Sequence, residues 1–582
     1  MTKARRGLAL VAALLAATAP QALAEALAQP EHTRAIAERQ SVTAETHMVA
    51  AAHPLATEAG LAILEAGGTA ADAAVAVQLV LNLVEPQSSG LGGGGFVVHW
   101  SAENARLATY DGRERAPLEA DETYWLDEDG EPVDFWDAVV GGRSVGVPGT
   151  PMLLETLHAR HGRLDWAALV QPAIDLAEEG FEVSSRLAGA IADARELDRF
   201  DETRAYFFDA DGAPLEAGTI LQNPAFAETL RLYAAEGARP FYAGEIAEAI
   251  VEAVRTEENN GILTIEDMTA YEVVEREPVC IEYRGRDVCG MGPPSSGALT
   301  IGQILGMLEA FDLPGMGPGM EANHLFLEAS RLAFADRALY MADSDYVDMP
   351  EGLLDRDYLA ERAALIDPER SMGRAEAGEP PWEAARLLAP DAPRPREGTT
   401  HFVIADADGN MVSATTTIET GFGSRVMTNG FLLNNELTDF SRAPRDEEGR
   451  PIANRVEGGK RPRSSMAPTV VLEDGRPLLL SGSPGGIAII PYTAWSVIRI
   501  LDWEMEPQEA IDQRHLVNFN GPTGIEAGPE AEVLAEALEA LEALGHDTDI
   551  RDLNSGLHVI RIENGRLTGA ADKRREGVAA GD

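Results

Sequence analysis

The hydrophobic pattern is clearest between His53 and Pro86. Pro54 suits a first helical turn, Gly67-Gly68 marks that helix's end, and Thr69-x-x-Asp72 is a capping-box signal for a second helix. From Ala70 to Val84 the second helix is apolar on nearly every side, which predicts burial all round. Ser88 to Gly95 then leads into a Phe96-Val97-Val98 strand. This glycine run precedes a strand and lacks a Gly-Lys-Ser/Thr ending, so it predicts close backbone packing and not nucleotide binding. Further along, Thr399 to Asp406 and Met411 to Glu419 are β-prone runs around Asp408-Gly409-Asn410, which predicts an antiparallel hairpin. Centred on Asp408-Gly409, it would set Thr400 opposite Thr417, with Glu419 just beyond Thr399. By itself that pattern is also that of a Thr-rich edge hairpin, because threonine favours strands.

Two more hairpins follow from the same alternation. One runs from Val279 to Cys289 around Arg284-Gly285 and puts Cys280 opposite Cys289; the other joins Thr469–Leu472 to Leu478–Ser481 around Asp474-Gly475. Near the end, Leu534, Leu538 and Leu541 share one helical face and Gly545 stops that helix. Helices and hairpins are therefore mixed, an α+β pattern that periodicity does not resolve into one fold. Ser371 to Gly398, with Pro380, Pro381, Pro390, Pro393 and Pro395, has no clear period and reads as a mobile linker ending where the Thr399 strand begins. Cleavage at Gly398–Thr399 would give Thr399 a free α-amine able to act as base for its own hydroxyl. Arg442 to Arg463 reads as a charged surface loop.

Composition narrows the class. The 582 residues, 45% hydrophobic, suffice for a large core, and show no internal repeat and no transmembrane helix. Lys3, Arg5 and Arg6, the apolar run Gly7 to Ala17 and Ala22-Leu23-Ala24 form a signal-peptide pattern, which predicts cleavage after Ala24 and a periplasmic or secreted protein. The net charge is −49, or −52 once those three basic residues are gone, which argues against nucleic-acid and anionic-lipid partners. It is compatible with a salty habitat, where screening removes self-repulsion; equal stability and activity without added salt would exclude that idea. The two cysteines fit either a cross-strand disulfide in an oxidising compartment or small buried thiols. No metal-ligand spacing is present.

Thr399-Thr400-His401-Phe402-Val403, Phe431 to Ser441, Lys460 to Thr469 and Gly482-Ser483-Pro484-Gly485-Gly486 resemble, in order, the signature blocks of γ-glutamyltransferases. These are self-cleaving N-terminal-nucleophile (Ntn) hydrolases. The N-terminal block through the glycine run and Gly569 to Arg575 are similar too, so the resemblance covers nearly all of the mature chain. It implies a four-layer αββα sandwich, with a precursor cut into a large subunit, 25–398, and a small catalytic subunit, 399–582, that stay together as a heterodimer. It also implies glutathione and other γ-glutamyl donors, water, amino acids or dipeptides as acceptors, and no cofactor.

Residue by residue, the resemblance implies that Thr399 is the nucleophile released at Gly398, oriented by Thr417, with the N–H groups of Gly485 and Gly486 holding the oxyanion. Arg113, Ser464 and Ser465 would grip the α-carboxylate, and Glu436 and Asp439 the α-ammonium. Glycine at the oxyanion positions lets bare backbone approach the reacting carbon. Two features depart from the family. Glu419 stands where Asn is usual, which leaves its role open, and the loop Ser441–Ser464 is short and without aromatics, which predicts a more open site and a lean toward hydrolysis. The alternatives are a glutaryl-cephalosporin acylase of the same architecture, an exported non-catalytic binding protein, and an enzyme coupling poly-γ-glutamate to a cell surface.

Overall fold

The computed structural model describes residues 37–382, 387–391, 398–528 and 531–582; the expected signal peptide lies outside them. The helices Pro54–Glu65 and Ala70–Val84 form as the pattern predicts, with Thr69 and Asp72 exchanging both capping-box bonds and every residue of the second helix buried. Asp406 Oδ2 accepts from the Ala70 N–H at 2.9 Å, which fastens this helix's first turn to the threonine hairpin.

Two seven-stranded sheets face each other. One runs Val578–Gly581, Met48–Ala51, Thr400–Ala405, Met411–Thr417, Gly94–Ser101, Arg106–Gly112, Val274–Arg276; the other runs Val42–Ala44, Arg566–Ala571, His558–Glu563, Arg476–Gly482, Thr469–Glu473, Arg286–Gly290, Val279–Tyr283. Strand alternation divides the core between them. Val403, Ala405, Val98 and Trp100 meet Val470, Leu480 and Ile560 between the sheets, whereas Phe402, Ile404, Val97 and Val412 face the helices Ala70–Val84 and Trp166–Glu179. On the far side Val471, Leu479 and Val559 pack on the helices Gly297–Leu308, Met320–Tyr340 and Ile489–Leu501. The layers are α, β, β, α, as the family resemblance implies.

The threonine hairpin forms in a register one residue from the expected one. Thr400 pairs with Thr416 and Ala405 with Met411. The turn has three residues and not two: Asp406 N–H donates to Asn410 O, Gly409 N–H donates to Asp406 O, both at 3.0 Å, and Gly409 takes φ 84°. The shift matters because side chains alternate faces. It brings Thr399 opposite Thr417 between the sheets, and turns Thr400 to the helical side, where its hydroxyl donates to Glu85 Oε2 at 3.0 Å.

The Arg284-Gly285 hairpin has the expected register and joins Cys280 to Cys289, with S–S 2.02 Å. The Asp474-Gly475 hairpin and the Ala531–Ala543 helix also form as expected. Two expectations are corrected. At its described residues the supposed linker is tied down: Gly378 N–H donates to Asp336 at 2.8 Å, Ala389 N–H to Pro451 O at 3.0 Å and Asp391 N–H to Ala338 O at 2.9 Å. Of the supposed surface loop, only the stretch near Arg445 to Arg450 is solvent-facing. Asn454, Lys460, Arg461 and Arg463 are buried, and Lys460 Nζ is held by the Ala453 and Arg455 carbonyls and Glu457. Backbone carbonyls together with Glu457, Asp111 and Asp391 satisfy these cations, something composition does not reveal.

Candidate active site

At the open end of the threonine hairpin the backbone bends sharply. Gly398 has φ 114° and Thr399 φ 86°; a Cβ on Gly398 would lie 1.7 Å from the Glu419 carbonyl oxygen, so a bare backbone is needed there. A non-glycine residue at positive φ is uncommon and carries strain. In this continuous chain the Thr399 N–H donates to Ser88 O at 3.1 Å, and Arg575 Nη1 donates to Thr399 O at 3.4 Å. Thr399 Oγ1 lies 3.2 Å from Thr417 Oγ1, which also accepts the Glu419 N–H at 2.8 Å. The glycine run supports this end, since a Cβ on Gly93 would come within 1.9 Å of the Thr417 carbonyl oxygen.

The sheet opposite ends in the Gly485-Gly486 turn that feeds the helix Ile489–Leu501. Both glycines have positive φ, 127° and 56°, and a Cβ on Gly485 would lie 2.8 Å from the Tyr492 ring. Gly486 lines the same cleft as Thr399 and Thr417; Gly485 is its immediate neighbour.

Arg113 is fully buried and ion-pairs with Glu436 and, at 2.5 Å, with Asp439; its Nε donates to Pro462 O at 3.1 Å. Burial acts to lower its pKa, but Glu436, Asp439 and Glu114 outweigh burial and hold it above the ordinary arginine value. For Glu436, burial first and then Glu114, Asp439 and Glu419 push the carboxyl well above the usual range, against the pull of Arg113. Glu419 is 5% exposed, lines the cleft beside Glu436 and Asp439, and accepts from Asn435 Nδ2 at 3.4 Å. It therefore belongs to the acidic group and does not point away.

Ser464 Oγ accepts the Met466 N–H at 3.1 Å, and Ser465 Oγ accepts from Arg337 Nη2 at 2.8 Å. Ser295 and Ser296 brace this segment: their hydroxyls donate to Met466 O and Ser464 O, both at 2.6 Å. The structure thus gathers Arg113, Thr399, Thr417, Glu419, Glu436, Asp439, Ser464, Ser465 and Gly486 around one cleft. In the uncut chain that cleft has a volume of about 60 Å³.

Sequence reasoning passed over three charged groups. Glu114 is fully buried 3.7 Å from Arg113, and burial pushes its carboxyl up to about 7 despite Arg113. Arg337 and Arg463 also line the cleft. Glu114 adjoins a residue already singled out, a signal that was available; Arg337 lies within the long helix Met320–Tyr340 and had none. Away from the cleft, His324, Glu328 and His546 converge with metal-capable spacing. Hydrogen bonds account for them: His324 Nδ1 meets His546 Nε2 at 2.8 Å, His324 Nε2 donates to Asp367 O at 2.8 Å, and Glu328 accepts from Ser371 and Met372.

Two facing sheets between helical layers, with a threonine hairpin opening into a polar cleft, define an Ntn-type hydrolase. The γ-glutamyltranspeptidase family model matches residues 56–582. A glutathione hydrolase proenzyme of Bacillus subtilis (strain 168) is 38% identical over 549 residues, covering 92% of this chain and 91% of that protein. An acylase ACY 1 proenzyme of Pseudomonas sp. (strain V22) is 36% identical over 555 residues, covering 93% and 94%. The crystal structure of a cephalosporin acylase from Bacillus halodurans overlays with a TM-score of 0.81 at 27% identity, covering 94% of this chain and 97% of that one. The chain belongs to the γ-glutamyltranspeptidase family.

Proposed function

We propose that this enzyme is an exported γ-glutamyltransferase and glutathione hydrolase that cuts itself between Gly398 and Thr399, leaving 25–398 and 399–582 associated. In the precursor the Thr399 hydroxyl attacks the Gly398 carbonyl; the C–N bond to Thr399 breaks, its nitrogen takes the proton, and water opens the resulting ester. The freed α-amine of Thr399 then removes the hydroxyl proton as Oγ1 attacks the γ-carbonyl of a γ-glutamyl amide. The leaving amine takes that proton, and water or an acceptor amine releases the acyl group. Gly485 and Gly486 N–H groups stabilise the oxyanion.

Arg113, Ser464 and Ser465 bind the donor's α-carboxylate, with Arg337 fixing Ser465: a guanidinium only donates, so Ser465 accepts from it and keeps its own proton for the substrate. Glu419, Glu436 and Asp439 bind the α-ammonium, whose charge relieves their mutual repulsion. The observation that carries this reading is the Thr399–Thr417 contact at the mouth of a cleft holding both a guanidinium and converging carboxylates.

Intact-mass measurement of wild type beside Thr399→Ala tests it. A fragment spanning 399–582 in wild type alone supports self-cleavage; an uncut, folded wild type refutes it. The acylase reading is favoured by the overlay with the cephalosporin acylase. It is disfavoured by the buried acidic group: Glu436 and Asp439 share Arg113, and a glutaryl chain without an amine would bring them no further cation. Removing the α-amino group from the donor discriminates: turnover falls steeply in the first reading and survives in the second.

A further inference from the structure

We infer that a second cavity, at the C-terminal end of the helix Ile489–Leu501, binds a small organic carboxylate with an apolar body. Its volume is about 430 Å³, within the range of small-molecule sites. Trp503, Met505, Met320, Leu516 and Ala537 supply an apolar lining, and Arg499 stands in the wall.

Arg499 is the informative residue. It is 5% exposed, donates to Ala510 O at 3.0 Å and Arg514 O at 2.8 Å, and lies 5.0 Å from the Trp495 ring centre. Its partners are two neutral carbonyls and a π-face; among the described residues it has no carboxylate ion pair. The acidic groups that act on it, Glu526 and Asp572, are bonded to Arg574 at 2.6 Å and 3.1 Å. Burial first, then the charge of Arg574, holds the Arg499 guanidinium down to about 9.

A buried cation without a counterion is costly, and a methionine would fill that space without the cost. An anion entering the cavity offsets it. Charge sets the polarity of the ligand, with its carboxylate toward Arg499 and its apolar body along Trp503 and the Ala531–Ala543 helix, whose Glu536 sits on the exposed rim.

The test titrates octanoate, octylammonium and octanol against the mature full-length protein, reading thermal shift and tryptophan fluorescence. Wild type should bind octanoate with Kd below about 1 mM and at least about tenfold tighter than either other probe. Ala537→Trp, which fills the cavity from a partly exposed helix position, should weaken octanoate at least about tenfold and leave turnover of a γ-glutamyl anilide unchanged. Arg499→Gln should do the same to binding, and if it fails to fold the Ala537→Trp result decides. No octanoate binding by wild type, equal binding of octanol or octylammonium, or full binding by Ala537→Trp would each overturn the inference.

Discussion

Thr417→Val removes one hydroxyl from the head of the cleft while keeping the side chain's shape. Thr417 Oγ1 accepts the Glu419 N–H at 2.8 Å and meets Thr399 Oγ1 at 3.2 Å, so with the amide already donating to it, its own proton is available to Thr399. The substitution deletes a bond to the nucleophile, about 1 kcal/mol, and strands a buried N–H, about 1–3 kcal/mol. If roughly 2–3 kcal/mol of this bears on the transition state, kcat falls about 30-fold to 150-fold, since 1.36 kcal/mol is tenfold. The assay is initial-rate turnover of a γ-glutamyl anilide by processed enzyme, with the processed fraction counted by intact mass. Thr417→Ser should recover most of the loss. A Thr417→Val enzyme that processes normally and turns over within about twofold of wild type would refute the assignment, because neither bond could then matter to the reaction.

Arg337→Gln should raise KM for the anilide about tenfold with kcat within about threefold, and a donor lacking the α-carboxylate should not distinguish the two enzymes; a pure kcat loss would refute its action through Ser465. Glu114 has its folded pKa raised from 4.5 to about 7, so its stabilising contribution is complete below pH 4.5 and lost as pH rises through 7, roughly 3 kcal/mol in all. The melting temperature of Glu114→Gln should therefore rise relative to wild type between those pH values, and a constant gap would contradict this. His99 and His558 are depressed to about 3 and about 4, chiefly by burial, so their contribution is present above pH 6.5 and lost as pH falls through about 4 for His558 and about 3 for His99. Acid unfolding should begin within that window, and His558→Gln should move its onset downward, provided its melt at pH 7 is unchanged.

How much the sequence revealed depends on the range of the interaction. The Ala70–Val84 helix, its cap and the Arg284-Gly285 hairpin were readable because each rests on neighbours a few residues apart. Ordered motifs placed Thr399, Thr417, Arg113 and the glycine pair by resemblance. The threonine register was missed because Asp408-Gly409-Asn410 suits turns of either length, and the choice of a three-residue loop came with Asp406 capping a helix more than 300 residues away. Arg337 gave no local signal, since its part in the cleft depends on the Gly297–Leu308 and Met320–Tyr340 layer packing behind Ser464 and Ser465, whereas Arg463, like Glu114, adjoins a residue the motifs single out. Composition read Arg442 to Arg463 as surface, whereas carbonyls and carboxylates, among them Asp111 for Arg461 and Asp391 for Arg463, make the cations of its second half buriable. The sequence by itself determined helices, hairpins, charge and the order of the chemical motifs, because these are local. Which hydroxyl faces which, where Glu419 points, and which guanidinium lacks a counterion were decided only when the two sheets closed on each other, because each depends on groups far apart in the chain and on the water their burial removes.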